Sequence, residues 1–530
     1  MRYPKAIGSL LMTTLLAGAS ASSLVGQAAR ESSFVILMGS DTFAVESFSR
    51  DIGGLAGEIS GPSLGRMHYS YTAGAGGTLP RMTLRAWMPG VSPEQAPSQE
   101  ARLSLEGGSV TAIVSSPAGE RSQTFESTPG AVLYLNPSFA VMEQVAAAAS
   151  SIEGEMVEVP IFMVQGGQTV RALVRRTAHD SITIELGSAT THAQIDASGR
   201  ILSATVPAQR IRVVRVDGRV SPITLRAPDY SAPPGASYRA EDVTVRAPAG
   251  HSLAGTLTRP LVGERVPAVI MITGSGAQDR DQAAPIISGY RPFMEIADAL
   301  SGRGVAVLRL DDRGFGASTG DFPSATSADF ADDVLAAVEF LRARDDIDGD
   351  RIGLIGHSEG GLIAPLVAMS DSGLRGIVLI GAPAHTGRQI IHYQQRYAIE
   401  ASPAIRPEAR DSATAALRAQ LEELADGGRW LRFFLEHDPL AVARRVRQTP
   451  VLILHGATDR QVTADQAVIL GEAFRLAGNP DVTTHIFPGV NHLMLADPDG
   501  TPAGYSTLPS RTLDRRVMEV LVDWVVARAR

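Results

Sequence analysis

The sequence predicts an α/β domain with a mostly parallel sheet, preceded by a mainly antiparallel β domain. After residue 240, short and nearly continuous apolar runs alternate with amphipathic helical segments, as in strands that helices cover on both faces. Between residues 31 and 226, apolar and polar residues alternate with period two, which favours antiparallel strands with one face in water. A chain of 530 residues is long enough to bury a core in each domain.

The composition excludes some classes of protein. A formal net charge of −8 argues against a nucleic-acid binder, whose surface normally carries a basic patch. The chain has no cysteine, so it forms no disulfide and carries no lipid-modified cysteine. We therefore expect no nucleic-acid partner and a fold that is stabilised by its cores alone.

Residues 1–28 have the features of a secretory signal peptide. Arg2 and Lys5 precede an apolar run, and small residues offer cleavage sites after Ala21 or Ala28. The run is too short to span a bilayer and is interrupted by polar residues. These features predict an exported protein, periplasmic or secreted, with no stable membrane anchor after cleavage.

The β-rich region, residues 31–226, shows strand and turn patterns but no catalytic constellation. We predict strands at 66–71, 81–87, 169–175 and 181–186, a hairpin turn at 196–200, and one helix near 138–151. Residues 227–240 are rich in proline and small residues and are interpreted as an interdomain linker. Shielding of an active site, docking of a partner and dimerisation all remain open as roles for this domain.

The α/β domain, residues 241–530, contains five buried-strand patterns. They lie at 267–273, 305–310, 352–355, 377–380 and 451–454. Between the second and third runs, the apolar stripe of Phe330, Val334, Val338 and Leu341 predicts a helix, and residues 517–525 predict another at the end of the chain. This alternation predicts a parallel sheet.

About seventy residues separate the strand that ends at Ile380 from the strand that starts at Val451. This is far longer than an ordinary connection, so we predict a helical cap at about 384–449. Its aromatic residues either line an acyl pocket or form the core of the cap: Tyr393, Tyr397, Trp430, Phe433 and Phe434.

Ser358 is the candidate nucleophile. The pattern Gly-x-Ser-x-Gly occurs at Ser63, Ser318 and Ser358, but only Ser358 joins an apolar strand to a helix. That context places a serine on a sharp turn with its hydroxyl clear of the backbone. The helix that follows directs backbone N–H groups toward charge that develops beside the serine.

A nucleophilic serine needs a base, and the base needs an acid that orients it. Asp459 and His492 each follow a predicted strand downstream, in the chain order serine, acid, histidine. Four other histidines of this region lie within a strand, beside the nucleophile or in the insertion: His485, His357, His392 and His437. We therefore predict that Asp459 orients His492 and that His492 takes the proton of Ser358.

The negative oxygen that forms during attack needs preorganised donors. One donor is expected to be the backbone N–H of Glu359, directly after the nucleophile. The glycine-rich loop at 273–281 is expected to supply the second, from the backbone N–H of Ser275, with Gly276 as the alternative.

Residues 238–530 resemble the α/β-hydrolase family. The resemblance rests on Gly356-His357-Ser358-Glu359-Gly360-Gly361, Asp311-Asp312-Arg313-Gly314-Phe315-Gly316, His455-Gly456-Ala457-Thr458-Asp459 and Gly489-Val490-Asn491-His492. The loop at 273–281 is similar to that of bacterial carboxylesterases of this family. The resemblance implies ester hydrolysis through an acyl-enzyme, with neither a cofactor nor a metal.

The sequence thus predicts an exported serine hydrolase that cleaves small-molecule carboxylic esters of short or medium acyl chains. A serine peptidase related to aminopeptidases or dipeptidases, a thioesterase and an acyltransferase remain alternatives, because an acyl-enzyme is common to all of them. A non-catalytic binding protein is a further alternative of a different class. The oligomeric state is left open.

Overall fold

The computed structural model describes residues 30–529 except 39–40, 62–63, 88–93, 95, 117–118, 151–155, 188, 197, 221–228, 285–286, 288, 323 and 402–405. The predicted signal peptide, Ser63 and the first two residues of the predicted linker lie outside the described residues. Within the described part of the chain, no helix has the length and apolar character needed to cross a membrane.

The described residues of the first domain form a single sheet of 15 strands. The strands are β1 (Arg30–Met38), β2 (Asp41–Asp51), β3 (Gly54–Gly61), β4 (Gly65–Thr72), β5 (Arg81–Trp87), β6 (Gln99–Glu106), β7 (Ser109–Ser116), β8 (Gly119–Glu126), β9 (Val132–Tyr134), β10 (Met156–Met163), β11 (Gln168–Ala178), β12 (Ser181–Leu186), β13 (Ala189–Ile195), β14 (Ile201–Val206) and β15 (Ile211–Asp217). Their spatial order is β8 to β1 and then β15 to β9. All neighbours are antiparallel except β9 and β10.

This sheet curls around one helix, α1 (Phe139–Ser150), which lies where the sequence predicts a helix. The two ends of the sheet approach each other, because the rings of Phe125 in β8 and Phe162 in β10 lie 5.6 Å apart between centroids. One face of the sheet and the apolar side of α1 share a single core. The polar residues that alternate along the strands face outward, which explains the period-two pattern.

The N-terminus of α1 is bound by a buried carboxylate, that of Glu46 in β2. The backbone N–H groups of Phe139 and Ala140 donate to Oε2 over 2.7 and 3.0 Å. The hydroxyl groups of Tyr69 and Ser138 donate to Oε1. Burial raises the pKa of Glu46, whereas these four hydrogen bonds favour its charged form. Glu46 therefore fixes the helix inside the curled sheet.

The substitution Glu46→Ala should destabilise the β domain by about 3 kcal/mol, because it leaves two helix N–H groups and two hydroxyls buried without an acceptor. Urea unfolding of the wild type and the variant measures the change. Glu158→Ala is the matched control, since the Glu158 side chain pairs with Arg171 at the surface. Equal stability of the Glu46 and Glu158 variants would contradict the capping role.

The second domain, as far as the structure describes it, is built on an eight-stranded sheet. Its strands are β16 (Tyr238–Arg246), β17 (Ser252–Pro260), β18 (Val266–Ile272), β19 (Ala306–Leu310), β20 (Ile347–His357), β21 (Gly376–Ile380), β22 (Val451–Gly456) and β23 (Val482–Phe487). The order is β16-β17-β19-β18-β20-β21-β22-β23. β17 is antiparallel to both of its neighbours, and the other pairs are parallel.

Helices cover both faces of this sheet. The helices of this domain in the described part of the chain are α2 (Pro292–Ser301), α3 (Ser327–Arg342), α4 (Gly360–Ser370), α5 (Gly387–Ala401), α6 (Arg410–Gly427), α7 (Arg429–Glu436), α8 (Pro439–Ala443), α9 (Asp465–Leu476) and α10 (Arg515–Ala529). In β18, Ala268 and Ile270 face the core under α3, α4 and α9, whereas Val269 and Met271 face α2 and α10. Burial on both faces explains the continuous apolar runs.

Helices α5 to α8 form the insertion between β21 and β22, where the sequence predicts a helical cap. The predicted fold class is therefore confirmed: a mostly parallel sheet with a helical insertion, preceded by an antiparallel β domain. The carboxyl ends of the parallel strands lie along one edge of this sheet, where binding sites of open α/β sheets form.

Candidate active site

Ser358 lies directly after β20 in a left-handed backbone conformation, with φ of 55°. A Cβ at Gly356 would lie 2.1 Å from the Gly360 carbonyl oxygen, and a Cβ at Gly360 would lie 2.2 Å from that of Ile272. Glycine is therefore required on both sides of the serine. The Ser358 N–H donates to the Ile380 carbonyl over 2.8 Å, which ties the turn to β21.

The structure brings Ser358, His492 and Asp459 into one chain of hydrogen bonds. His492 Nε2 lies 3.1 Å from Ser358 Oγ, and His492 Nδ1 lies 2.6 Å from Asp459 Oδ2. A carboxylate partner assigns the proton to Nδ1, so Nε2 presents its lone pair to the serine hydroxyl. Each residue is delivered by the carboxyl end of a parallel strand: β20, β23 and β22, respectively.

Asp459 is held in its charged form. Burial alone would raise the pKa of Asp459, but the charge of His492 and hydrogen bonds from His455 and His492 outweigh it and hold the pKa well below its usual range. The backbone N–H groups of Gln461 and Val462 donate to Oδ1 over 2.8 and 2.9 Å. The carboxylate therefore keeps one oriented charge against His492.

The glycine-rich loop at 273–281 passes beside the serine. A Cβ at Gly274 would lie 3.3 Å from the Cβ of Ser358, so the backbone of the loop can approach the nucleophile closely. Ser275 and Gly276 follow in the same loop, and Gly276 has φ of 91°. In the described part of the chain, the backbone N–H groups of Ser275 and Glu359 donate to no protein acceptor. Both are thus free to bind an oxyanion.

Asp312, which follows β19, accepts two hydrogen bonds from this loop. The Thr273 hydroxyl donates to Asp312 Oδ1 over 2.7 Å, and the Gln278 N–H donates to Oδ2 over 2.9 Å. Burial raises the pKa of Asp312 to about 8, although these two hydrogen bonds favour its charged form, and the nearby charges of Glu359 and Asp311 raise the pKa further. Asp312 therefore titrates in the neutral range rather than in the acidic range of an exposed carboxyl.

The interdomain linker also contacts the glycine-rich loop. Arg280, in the loop, forms a paired ion bridge with Asp311, at 3.0 and 2.8 Å. Tyr230 of the linker stacks on the Arg280 guanidinium at 4.2 Å, and its hydroxyl donates to Asp279 over 3.2 Å. Arg291 donates to the carbonyl of Asp229 over 2.7 Å. The linker is thus bound to the loop that carries Ser275.

His357, which sequence reasoning excluded as the base, has a structural role that the sequence did not reveal. Its Nε2 donates to the backbone carbonyl of His492 over 2.9 Å, and its Nδ1 lies 2.6 Å from Gln282 Nε2. Burial, followed by the charge of His492, lowers the pKa of His357 to about 3. A neutral His357 therefore positions the backbone of the catalytic candidate His492.

The other described Gly-x-Ser-x-Gly serine, Ser318, has a structural role. Its hydroxyl donates to the Asp311 carbonyl and accepts from the Ala254 N–H, each over 2.8 Å. Within the described residues, no group of three or more histidine, aspartate or glutamate side chains is arranged to hold a metal ion.

This arrangement is that of a class of hydrolase sites. A serine on a strained strand-to-helix turn bonds to a histidine, the histidine bonds to an aspartate, and both partners follow later strands. The comparisons agree with that class. A model of the alpha/beta hydrolase family matches residues 284–501. The esterase EstD of Thermotoga maritima is 30% identical over 306 residues, which cover 56% of this chain and 70% of the relative.

Two further matches have lower identity. The uncharacterized protein Rv2307c of Mycobacterium tuberculosis is 28% identical over 258 residues, which cover 47% of this chain and 72% of that protein. The solved structure of the Pyrococcus furiosus esterase Pf2001 matches at 16% identity and a TM-score of 0.39, over 57% of this chain and 99% of that one. The similarity to EstD and the family model show that the chain belongs to the α/β-hydrolase family.

The raised pKa of Asp312 predicts a pH dependence of stability. Because the folded pKa of about 8 lies above that of the unfolded chain, the stability that Asp312 contributes is fully present at low pH and is lost as pH rises to about 8. The loss is at most about 1.4 kcal/mol per pH unit. Urea unfolding of the α/β domain at pH 5 to 9 should show a shallower decline in Asp312→Asn than in the wild type. Parallel pH profiles for the two proteins would contradict the assignment.

The role of His357 predicts that His357→Ala slows the reaction of Ser358 with a fluorophosphonate about tenfold, because the backbone of His492 loses its hydrogen-bond donor. The second-order labelling rate measures this effect. His485→Ala is the control, since His485 is exposed in β23. If both variants react at the wild-type rate, His357 does not position His492.

Proposed function

We propose that this chain is a serine esterase that hydrolyses carboxylic esters of short or medium acyl chains, without a cofactor. The observation that carries the proposal is the hydrogen-bonded series Ser358, His492 and Asp459, with two free backbone donors beside it. The similarity to EstD, which is named an esterase, supports ester hydrolysis as the reaction.

In the proposed reaction, Ser358 Oγ attacks the ester carbonyl carbon while His492 Nε2 takes the hydroxyl proton. The N–H groups of Glu359 and Ser275, or of Gly276 in place of Ser275, stabilise the negative oxygen. The bond to the alcohol breaks as His492 returns the proton to the leaving oxygen. Water then attacks the acyl-enzyme with His492 as the base, which releases the acid and restores the Ser358 hydroxyl.

Export belongs to the same proposal. The charged N-terminus, the short apolar run and the small-residue cleavage sites support a secretory signal peptide at residues 1–28. Mass determination of the mature protein from the periplasm or medium of expressing bacteria should show an N-terminus after Ala21 or Ala28. Retention of Met1 in a cytoplasmic fraction would contradict export.

The substitution Ser358→Ala should abolish labelling by a fluorophosphonate and lower ester hydrolysis by on the order of 10⁴-fold or more, because no other group attacks the carbonyl. Labelling followed by gel fluorescence and assays with p-nitrophenyl acetate measure both effects. Ser318→Ala serves as the matched control for a serine in the same five-residue pattern. Equal labelling of wild type and Ser358→Ala would refute the nucleophile.

Substrate class is tested separately with the wild-type protein. p-Nitrophenyl esters of increasing acyl length should be hydrolysed faster than aminoacyl p-nitroanilides, since an alkoxide or phenolate leaves more readily than an amine. Faster cleavage of the amides would favour the peptidase alternative, and faster cleavage of acyl thioesters would favour a thioesterase.

A further inference from the structure

The backbone and the side chain of Glu359 have separate roles. Its backbone N–H is the proposed oxyanion donor, whereas its carboxylate is turned toward the cap, and the residue as a whole is only 3% exposed. Oε1 accepts hydrogen bonds from the Ser327 hydroxyl at 2.6 Å and from the Trp430 indole N–H at 2.9 Å. Ser327 begins α3, and Trp430 belongs to α7 of the cap. One carboxylate oxygen therefore joins the nucleophile turn to the cap.

The face of the Trp430 ring packs against other aromatic and apolar side chains. It stacks on Phe434 with 5.2 Å between centroids and planes 8° apart. Phe434 is buried against Leu362 of α4 and Ile390 of α5. This packing leaves no room at the start of α5, where a Cβ on Gly387 would lie 2.3 Å from the Phe434 ring. The position of the Trp430 ring is thus determined by both its ring face and its N–H.

The structure also gives different contacts to the aromatic residues of the cap, for which the sequence left two roles open, the lining of an acyl pocket and the core of the cap. Phe433 stacks on His437 at 5.2 Å between centroids, away from the Trp430 and Phe434 pair. Tyr393 and Tyr397 stack on each other in α5, and the Tyr397 hydroxyl bonds with Thr501, which lies outside the cap after β23. Trp430 donates a hydrogen bond to the side chain of Glu359, the residue next to Ser358.

We infer that Trp430 is a positioning residue, which holds the cap on the nucleophile turn through Glu359. This inference rests on the proposed esterase function. The Trp430 N–H donates to the carboxylate of the residue whose backbone N–H is the proposed oxyanion donor. The hydrogen bond and the packed ring therefore keep Glu359 in the orientation that the oxyanion needs.

The hydrogen bond is tested with Trp430→Phe, which keeps an aromatic ring and removes the N–H. The matched control is Trp524→Phe, because the buried Trp524 N–H has no acceptor among the described residues. Trp430→Phe should react with a fluorophosphonate about tenfold more slowly than wild type, and Trp524→Phe should react at the wild-type rate. Equal rates for the two variants would overturn the positioning role.

The same two variants are compared in steady-state hydrolysis of p-nitrophenyl acetate. Trp430→Phe should lower kcat and leave KM within about twofold of wild type, because the oxyanion forms only in the transition state. A loss confined to KM would overturn the positioning role.

These outcomes are separable from failure of the proposed function. If wild type labels with the fluorophosphonate but hydrolyses no ester, the esterase proposal fails, while the labelling rates still decide the positioning role of Trp430. If wild type hydrolyses the esters and Trp430→Phe does not differ from Trp524→Phe, the esterase proposal stands and the inference about Trp430 is wrong.

Discussion

The backbone conformation of Ser358 is the constraint on which the rest of the site depends. A left-handed φ of 55° is costly for a serine and persists only because the surrounding structure enforces it. Gly356 and Gly360 allow strand and helix to approach closely, and the Ile380 carbonyl holds the Ser358 N–H. A relaxation of this turn would move the hydroxyl away from His492 and redirect the N–H of Glu359 at the same time.

Buried polar groups position the parts around this turn. Asp312 accepts two hydrogen bonds from the glycine-rich loop, and His357 donates to the backbone of His492. Apolar packing is not directional, whereas a hydrogen bond in a low-dielectric interior fixes both distance and angle. Burial raises the pKa of Asp312 and lowers the pKa of His357, so it favours the neutral form of both groups and avoids the cost of burying an unpaired charge.

The sequence predicts those features that depend on local pattern. Apolar runs locate the strands, and the order of Ser358, Asp459 and His492 at strand ends is readable because each follows its strand directly. The roles of His357 and Trp430 depend on partners 135 and 71 residues away, which no local pattern reveals. For the same reason, period-two alternation predicts antiparallel strands but not that all 15 belong to one sheet that curls around α1.

The linker contact through Tyr230 has a consequence for how the two domains influence each other. The interdomain linker is bound to the α/β domain at two residues. Tyr230 contacts Arg280 and Asp279, and the carbonyl of Asp229 accepts a hydrogen bond from Arg291. A fragment that began at β16 would keep every strand of the α/β sheet but would uncover the Arg280 guanidinium. Displacement of the linker would be transmitted through Asp229 to Arg291, directly before α2, and through Tyr230 to the glycine-rich loop.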